Sequence, residues 1–246
     1  GGCRRELGVL QERHQGRGVV AAEHGAQEGD CATAVDQRGA LLSARHGGEE
    51  DQTSWVEQGR ANFIMDNLIA EGKALPMIVV MDWGQAPTPD QPVHIPSTPP
   101  PPEITAVTIQ ELIPMVDATF RTIPDREHRA MAGLSMGSVQ TLYIGLFNLD
   151  VFCALGIFSR RPMAAEEFNR FNGVFADAAA FNQNVKLFWW GAGTAEEGIY
   201  NAARADLAAL EARGIRSVFV EFPGTSHEWQ TWRKSLYDFA PRLFRW

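Results

Sequence analysis

From about residue 55 onward, apolar residues follow two alternating rhythms. Residues 75–81, 152–159 and 185–190 are short, nearly continuous apolar runs, the pattern of strands buried on both faces of a parallel sheet. Residues 217–222 read as a further strand, and 128–132 as another that leads into a glycine-rich turn. Between these runs, apolar positions recur at intervals of three and four. Ala61, Ile64 and Leu68 share one face of a predicted helix over 56–73, and Ile109, Leu112, Ile113 and Val116 do so over 108–120. Residues 138–146, 199–213 (followed by Gly214) and 229–244 complete the predicted helices. Strands alternating with helices of this length imply right-handed crossovers. The expected fold class is α/β: a mostly parallel sheet flanked by helices on both faces.

Two segments break the rhythm. Residues 85–102 are dense in proline and cannot hold regular structure, so they are expected to form a surface loop or lid, either a polyproline spacer or one wall of a substrate cleft. Residues 1–40 are rich in Gly, Arg, Glu and Gln, and only 18–22 and 40–42 are weakly apolar. The fold needs strands there, so the N-terminal edge strands are expected to be missing or malformed, with the segment irregularly packed. This divides the chain into an atypical N-terminal segment, 1–40, and a single catalytic domain, 41–246, carrying the Pro-rich loop.

Composition narrows the partners. In 246 residues, 45% are hydrophobic, enough for one large core. A net charge of -8 argues against nucleic acid or an anionic membrane as partner. No apolar run reaches the roughly 20 residues of a membrane span. No signal-peptide pattern opens the chain as it stands. Cys3, Cys31 and Cys153 are too scattered for a disulfide framework or a zinc site, and Cys153 is expected to pack in its strand. Neither a metal nor an organic cofactor is called for.

The chemistry lies in Gly133-Leu134-Ser135-Met136-Gly137, set between a predicted strand and a predicted helix. A serine on that turn projects its hydroxyl at a helix N-terminus, and side chains in place of the glycines would strike the neighbouring strand and helix. Serine needs a base to take its proton, and a carboxylate to orient the base. The chain order for this fold is Ser, acid, His. Of six histidines only His227 follows Ser135, in a loop after the last strand. The acid must stand just beyond a strand's C-terminal end. Asp150, Glu166, Glu167, Asp177, Asp206, Glu211 and Glu221 precede, lie within or lie away from such ends, which leaves Glu196 and Glu197. Glu196 is the choice, and the remaining glutamate suits the first turn of the following helix. For the oxyanion, the backbone N–H of Met136 is one expected donor, and His46-Gly47-Gly48 supplies Gly47 and Gly48 as the other candidates. Trp229 and Trp232, near His227, are candidates to line the cleft. Trp189 and Trp190 are expected in the core.

These residues resemble the esterase D-like α/β-hydrolases of carbohydrate esterase family 1, which include feruloyl and acetyl xylan esterases, with enterochelin esterases as relatives. The resemblance is carried by residues 66–73, 124–137 and 223–233. It implies Ser135 as nucleophile, His227 as base and Glu196 as acid, where many relatives have Asp. It implies a serine esterase acting on feruloyl or acetyl esters of plant polysaccharide such as xylan, without cofactor, and a secreted or periplasmic setting. The family's third glycine after the histidine stands here as Glu49, and Arg45 replaces an expected apolar residue. A binding-only member with a damaged N-terminus, an acyltransferase and a siderophore-ester hydrolase are the alternative readings.

Overall fold

A computed structural model describes residues 10–14, 17–23, 39–85, 99–163 and 165–246, the first two stretches and residue 165 by backbone alone. The apolar runs form strands as their pattern requires. These are β3 (Ala40–Arg45), β4 (Met77–Asp82), β5 (Arg129–Leu134), β6 (Ala154–Phe158), β7 (Leu187–Gly193) and β8 (Val218–Phe222). Two more strands precede them, β1 (Leu10–His14) and β2 (Arg17–Glu23). The sheet order is β1-β2-β4-β3-β5-β6-β7-β8. The six strands from β4 to β8 are parallel, while β2 joins β4 and β1 joins β2 antiparallel.

The expectation of missing edge strands is therefore corrected. Residues 17–23 contain the weak apolar stretch Val19 to Ala22, and β2 runs it along β4 with Val20 opposite Met81. β2 pairs along both sides, with β4 and with β1, and these backbone ladders hold it on an apolar pattern too faint to stand out in sequence. Residues 1–9, 15–16 and 24–38, and residues 86–98 of the Pro-rich loop, lie outside the described residues.

Successive residues of each buried strand serve opposite cores. On one face, Leu42, Val79, Ala132, Phe158 and Trp189 pack under α2 (Ala61–Ala70) and α8 (Trp229–Phe239). On the other, Met131, Leu155, Ile157 and Trp190 meet α5 (Met136–Phe147) and α7 (Glu197–Glu211). Trp189 and Trp190 are both fully buried, one in each core. Cys153 is buried too, and that burial pushes its thiol up to about 12.

Two predicted helices differ in detail. The helix expected over 56–73 is split into α1 (Ser54–Glu57) and α2. Arg60 sits at φ 55° between them, and a Cβ on Gly59 would lie 2.7 Å from the Trp229 ring. The helix expected over 108–120 begins earlier. It runs as α3 (Pro102–Ala106), a π-helical stretch (Val107–Leu112) and α4 (Ile113–Thr119). A seven-residue helix, α6 (Ala178–Asn184), was not read from the sequence; Asp177 caps it by accepting the Ala180 N–H at 2.9 Å.

The chain leaves β3 toward β4 on one side and returns to β5 on the other. The sheet thus switches direction between β3 and β5, and the crevice beyond their C-terminal ends is where ligands collect in such sheets. The turns after these two strands carry Gly47 and Ser135.

Candidate active site

Ser135 stands between β5 and α5 with φ 51° and ψ −115°, a conformation that only over-determined surroundings sustain. Its N–H donates to Phe158 O at 3.0 Å, which fixes the turn to the end of β6. The flanking glycines are close-packed. A Cβ on Gly133 would be driven into the Gly137 carbonyl, and one on Gly137 into the carbonyls of Arg45 and His46. The second collision matters for the site, because it shows that α5 begins directly against the turn after β3.

The loop between β8 and α8 brings His227 to the serine. Nε2 lies 2.9 Å from Ser135 Oγ, and Nδ1 lies 2.8 Å from Glu196 Oε2. Glu196 follows β7 and is 7% exposed, whereas Glu197 is exposed in the first turn of α7. The other carboxylate oxygen, Oε1, accepts the Gly193 N–H at 2.6 Å and the Ser159 hydroxyl at 2.7 Å. Ser159 Oγ in turn accepts the Trp232 indole N–H at 3.1 Å. Every oxygen of the buried carboxylate is thus engaged, which a buried charge requires. Ser159 also holds φ 51°, so two strained serines end adjacent strands. Sequence reasoning passed over Ser159 because nothing marks a serine that ends a strand.

The expected cleft tryptophans separate in role. Trp232 is 6% exposed and presses edge-on against the His227 ring, 5.1 Å between centroids. It backs the histidine instead of lining an open cleft. Its ring is held by Trp229, itself packed on Trp55, at 5.2 Å and 5.3 Å. Trp229 keeps part of its surface open beside His227.

The turn after β3 is bound from several sides. His46 is buried, with Nε2 2.7 Å from Trp83 O beyond β4 and Nδ1 2.8 Å from Gly47 O. The Trp55 indole donates to Arg45 O at 3.0 Å. Arg45, out of place in an apolar strand, is buried with its charge met. It pairs with Asp82 at 3.3 Å and donates to Gln140 at 3.2 Å and to Thr108. Desolvation lowers its pKa and Asp82 opposes that shift. Gln140 passes the link on, donating to Gly84 O at 2.8 Å. Glu49 takes φ 61°, the left-handed conformation in which a glycine is at ease and other residues are strained by about 1–2 kcal/mol.

Of the expected oxyanion donors, Gly47 is turned elsewhere: its N–H donates to Glu50 Oε2 at 2.8 Å. The shift follows from the local turn, which brings the carboxylate three residues on back over the glycine. Gly48 remains on the turn, partly exposed. Met136 is the first residue of α5, where an N–H has no intrahelical partner and the helix dipole favours negative charge. Among the described residues, no three His, Cys, Asp or Glu side chains are grouped to hold a metal ion, and no helix is long and apolar enough to cross a membrane.

A family model described as putative esterase matches residues 14–243. An endo-1,4-beta-xylanase/feruloyl esterase of Xylanibacter ruminicola is 37% identical over 219 residues, 88% of this chain and 28% of that protein. The chain therefore spans little more than a quarter of that relative's length. Among solved structures, a ferulic acid esterase superposes with a TM-score of 0.74 at 20% identity, covering 96% of each chain. A CE1 ferulic acid esterase from Anaeromyces mucronatus, in complex with ferulic acid, gives 0.72 at 20% identity, over 93% of this chain and 85% of its own. The feruloyl esterase module from Clostridium thermocellum, complexed with sinapinate, gives 0.73 at 18%, over 100% of this chain and 90% of its own. These likenesses show a shared α/β-hydrolase fold. The match over nearly the whole described chain shows the family itself: the chain belongs to the esterase family, as the resemblance to carbohydrate esterase family 1 implied.

Proposed function

We propose that this chain is a serine carboxylester hydrolase that cleaves feruloyl esters, with acetyl esters as a second acyl class, on plant polysaccharide. The observation that carries the reading is the unbroken path Ser135 Oγ–His227 Nε2 and His227 Nδ1–Glu196 Oε2, at 2.9 and 2.8 Å, at the switch point of the sheet. The acyl class is drawn from the feruloyl and ferulic acid esterases to which the chain is similar.

In this reading Ser135 Oγ attacks the ester carbonyl while His227 Nε2 takes its proton. The imidazolium is stabilised by Glu196, whose carboxylate also holds Nδ1 protonated, so that Nε2 is free to act as base. Met136 and Gly48 N–H groups receive the charge that develops on the carbonyl oxygen. His227 then returns the proton to the leaving alcohol, and water attacks the acyl-enzyme by the same route in reverse. Trp229, open beside His227, forms an apolar wall on the leaving-group side.

The test is release of ferulate from methyl ferulate and of p-nitrophenol from p-nitrophenyl acetate, before and after Ser135→Ala. Loss of the nucleophile should lower kcat by about 10⁵–10⁶ with the fold unchanged. Turnover surviving the substitution would sink the proposal.

A further inference from the structure

The His227 imidazole is held from two sides, by the Glu196 carboxylate at 2.8 Å and by the Trp232 ring at 5.1 Å between centroids. Ser159 bonds both of these neighbours, and the mechanism above does not use it. Its Oγ donates to Glu196 Oε1 at 2.7 Å and accepts the Trp232 indole N–H at 3.1 Å. An indole N–H can only donate and a carboxylate can only accept, so the one hydroxyl proton of Ser159 has a fixed direction, toward Glu196. The residue is buried, and its own N–H donates to Gly191 O of β7 at 2.8 Å. Its φ of 51° is one where glycine is at ease and other residues are strained. Glycine would relieve the backbone but has no hydroxyl. Strain kept at a buried position beside the nucleophile points to a side chain that the site needs.

We infer that Ser159 is a positioning residue that sets which oxygen of Glu196 faces His227 and ties Trp232 to the same carboxylate. Ser159, Glu196, His227 and Trp232 close a ring of four side chains. They stand just beyond β6, just beyond β7, in the loop after β8 and on α8, so the ring joins every element that presents the base. The Gly193 N–H also holds Oε1, at 2.6 Å, but one donor leaves the carboxylate free to turn about that bond. The Ser159 hydroxyl is the second donor, and it fixes the carboxylate plane. Without it, Oε2 can swing away from Nδ1, and the Trp232 N–H loses its acceptor in a buried place. The imidazole then loses both the partner that keeps its proton on Nδ1 and the backing that keeps Nε2 on Ser135 Oγ. The effect on turnover rests on the hydrolase reading, whereas the ring itself can be tested without substrate.

The experiment compares Ser159→Gly and Ser159→Ala with wild type. Both delete the hydroxyl. The first suits φ 51° and the second keeps the strain, so a loss common to both belongs to the hydroxyl and not to the backbone. With p-nitrophenyl acetate, both should lower kcat about 10–10²-fold and leave KM within about threefold. Wild-type kcat in both variants, a loss in one of them alone, or a loss in KM alone overturns the positioning role. Loss of the folded state in both would make Ser159 a stability residue and overturn it as well. Because Ser159 acts through Glu196, adding Ser159→Gly to Glu196→Ala should change kcat by less than about threefold. An undiminished loss in that background overturns the role, since a general structural defect would persist there. Proton NMR reads the ring without substrate: the His227 Nδ1–H and the Trp232 indole N–H should exchange with water at least about tenfold faster in both single variants. Unchanged exchange overturns the ring whether or not the protein is an esterase. Failure of the hydrolase reading shows separately, as turnover that Ser135→Ala leaves intact.

Discussion

At the scale of the residue, Glu196 shows how much a side chain's partners decide. Oε1 accepts from Gly193 and Ser159, which leaves Oε2 for the His227 Nδ1–H. In Glu196→Gln the amide oxygen would be held by those same two donors, turning the NH₂ toward Nδ1. The imidazole would then carry its proton on Nε2, facing Ser135 Oγ, and could not act as base. Turnover of methyl ferulate should fall by about 10⁴ while the circular dichroism spectrum is kept. A loss under tenfold would show that the carboxylate does not set the tautomer. Ser135, His227 and Glu196 were legible because a glycine-flanked serine, a sole downstream histidine and an acid after a strand are each local patterns. Ser159 was not. Its role depends on a partner 37 residues away, Glu196, which no spacing within its own segment reveals.

At the scale of the element, the glycines of α5 and α7 give opposite expectations. Gly137 lies in the first turn of α5 against the backbone of Arg45 and His46, so Gly137→Ala must push the helix away from the turn after β3. Overpacking of this kind should lower stability by about 1–3 kcal/mol in urea unfolding and reduce kcat with it. Gly198, in the first turn of α7, has nothing within 4 Å of an added Cβ. Gly198→Ala should raise stability by about 0.5–1 kcal/mol through helix propensity alone. Equal effects at the two positions would contradict the packing described. Element boundaries were legible where apolar periodicity ran unbroken, as in β8, whereas the helix read over 229–244 ends at Phe239 and closes in a 3-10 turn at Ala240–Arg242. Boundaries were hidden where tertiary contact overrode the periodicity. The 56–73 pattern is continuous in sequence, yet the chain is broken at Gly59 to admit the Trp229 ring.

At the scale of the molecule, the sheet gathers its catalytic candidates from the ends of β5, β7 and β8, and one buried cation braces the turn that faces them. Arg45 read as a misfit in an apolar strand because its partners, Asp82, Thr108 and Gln140, come from three other parts of the chain. In space it joins β3 to the end of β4, to the π-helical turn and to α5. Arg45→Met would leave the Asp82 carboxylate buried, with the Gly84 N–H at 3.2 Å as its remaining donor. Stranding a buried charge costs far more than the pair contributes, so this substitution should lower stability by about 3–5 kcal/mol. Adding Asp82→Asn removes the stranded charge, and the double variant should be more stable than Arg45→Met alone. The urea midpoints of wild type, the two single variants and the double variant close a thermodynamic cycle. A coupling above about 1 kcal/mol is expected, because the two groups lie 3.3 Å apart, buried at the C-terminal ends of neighbouring strands. Additive losses would mean that Arg45 acts through its contacts with Gln140 and Thr108, and that the turn after β3 is braced from α5 instead of from β4.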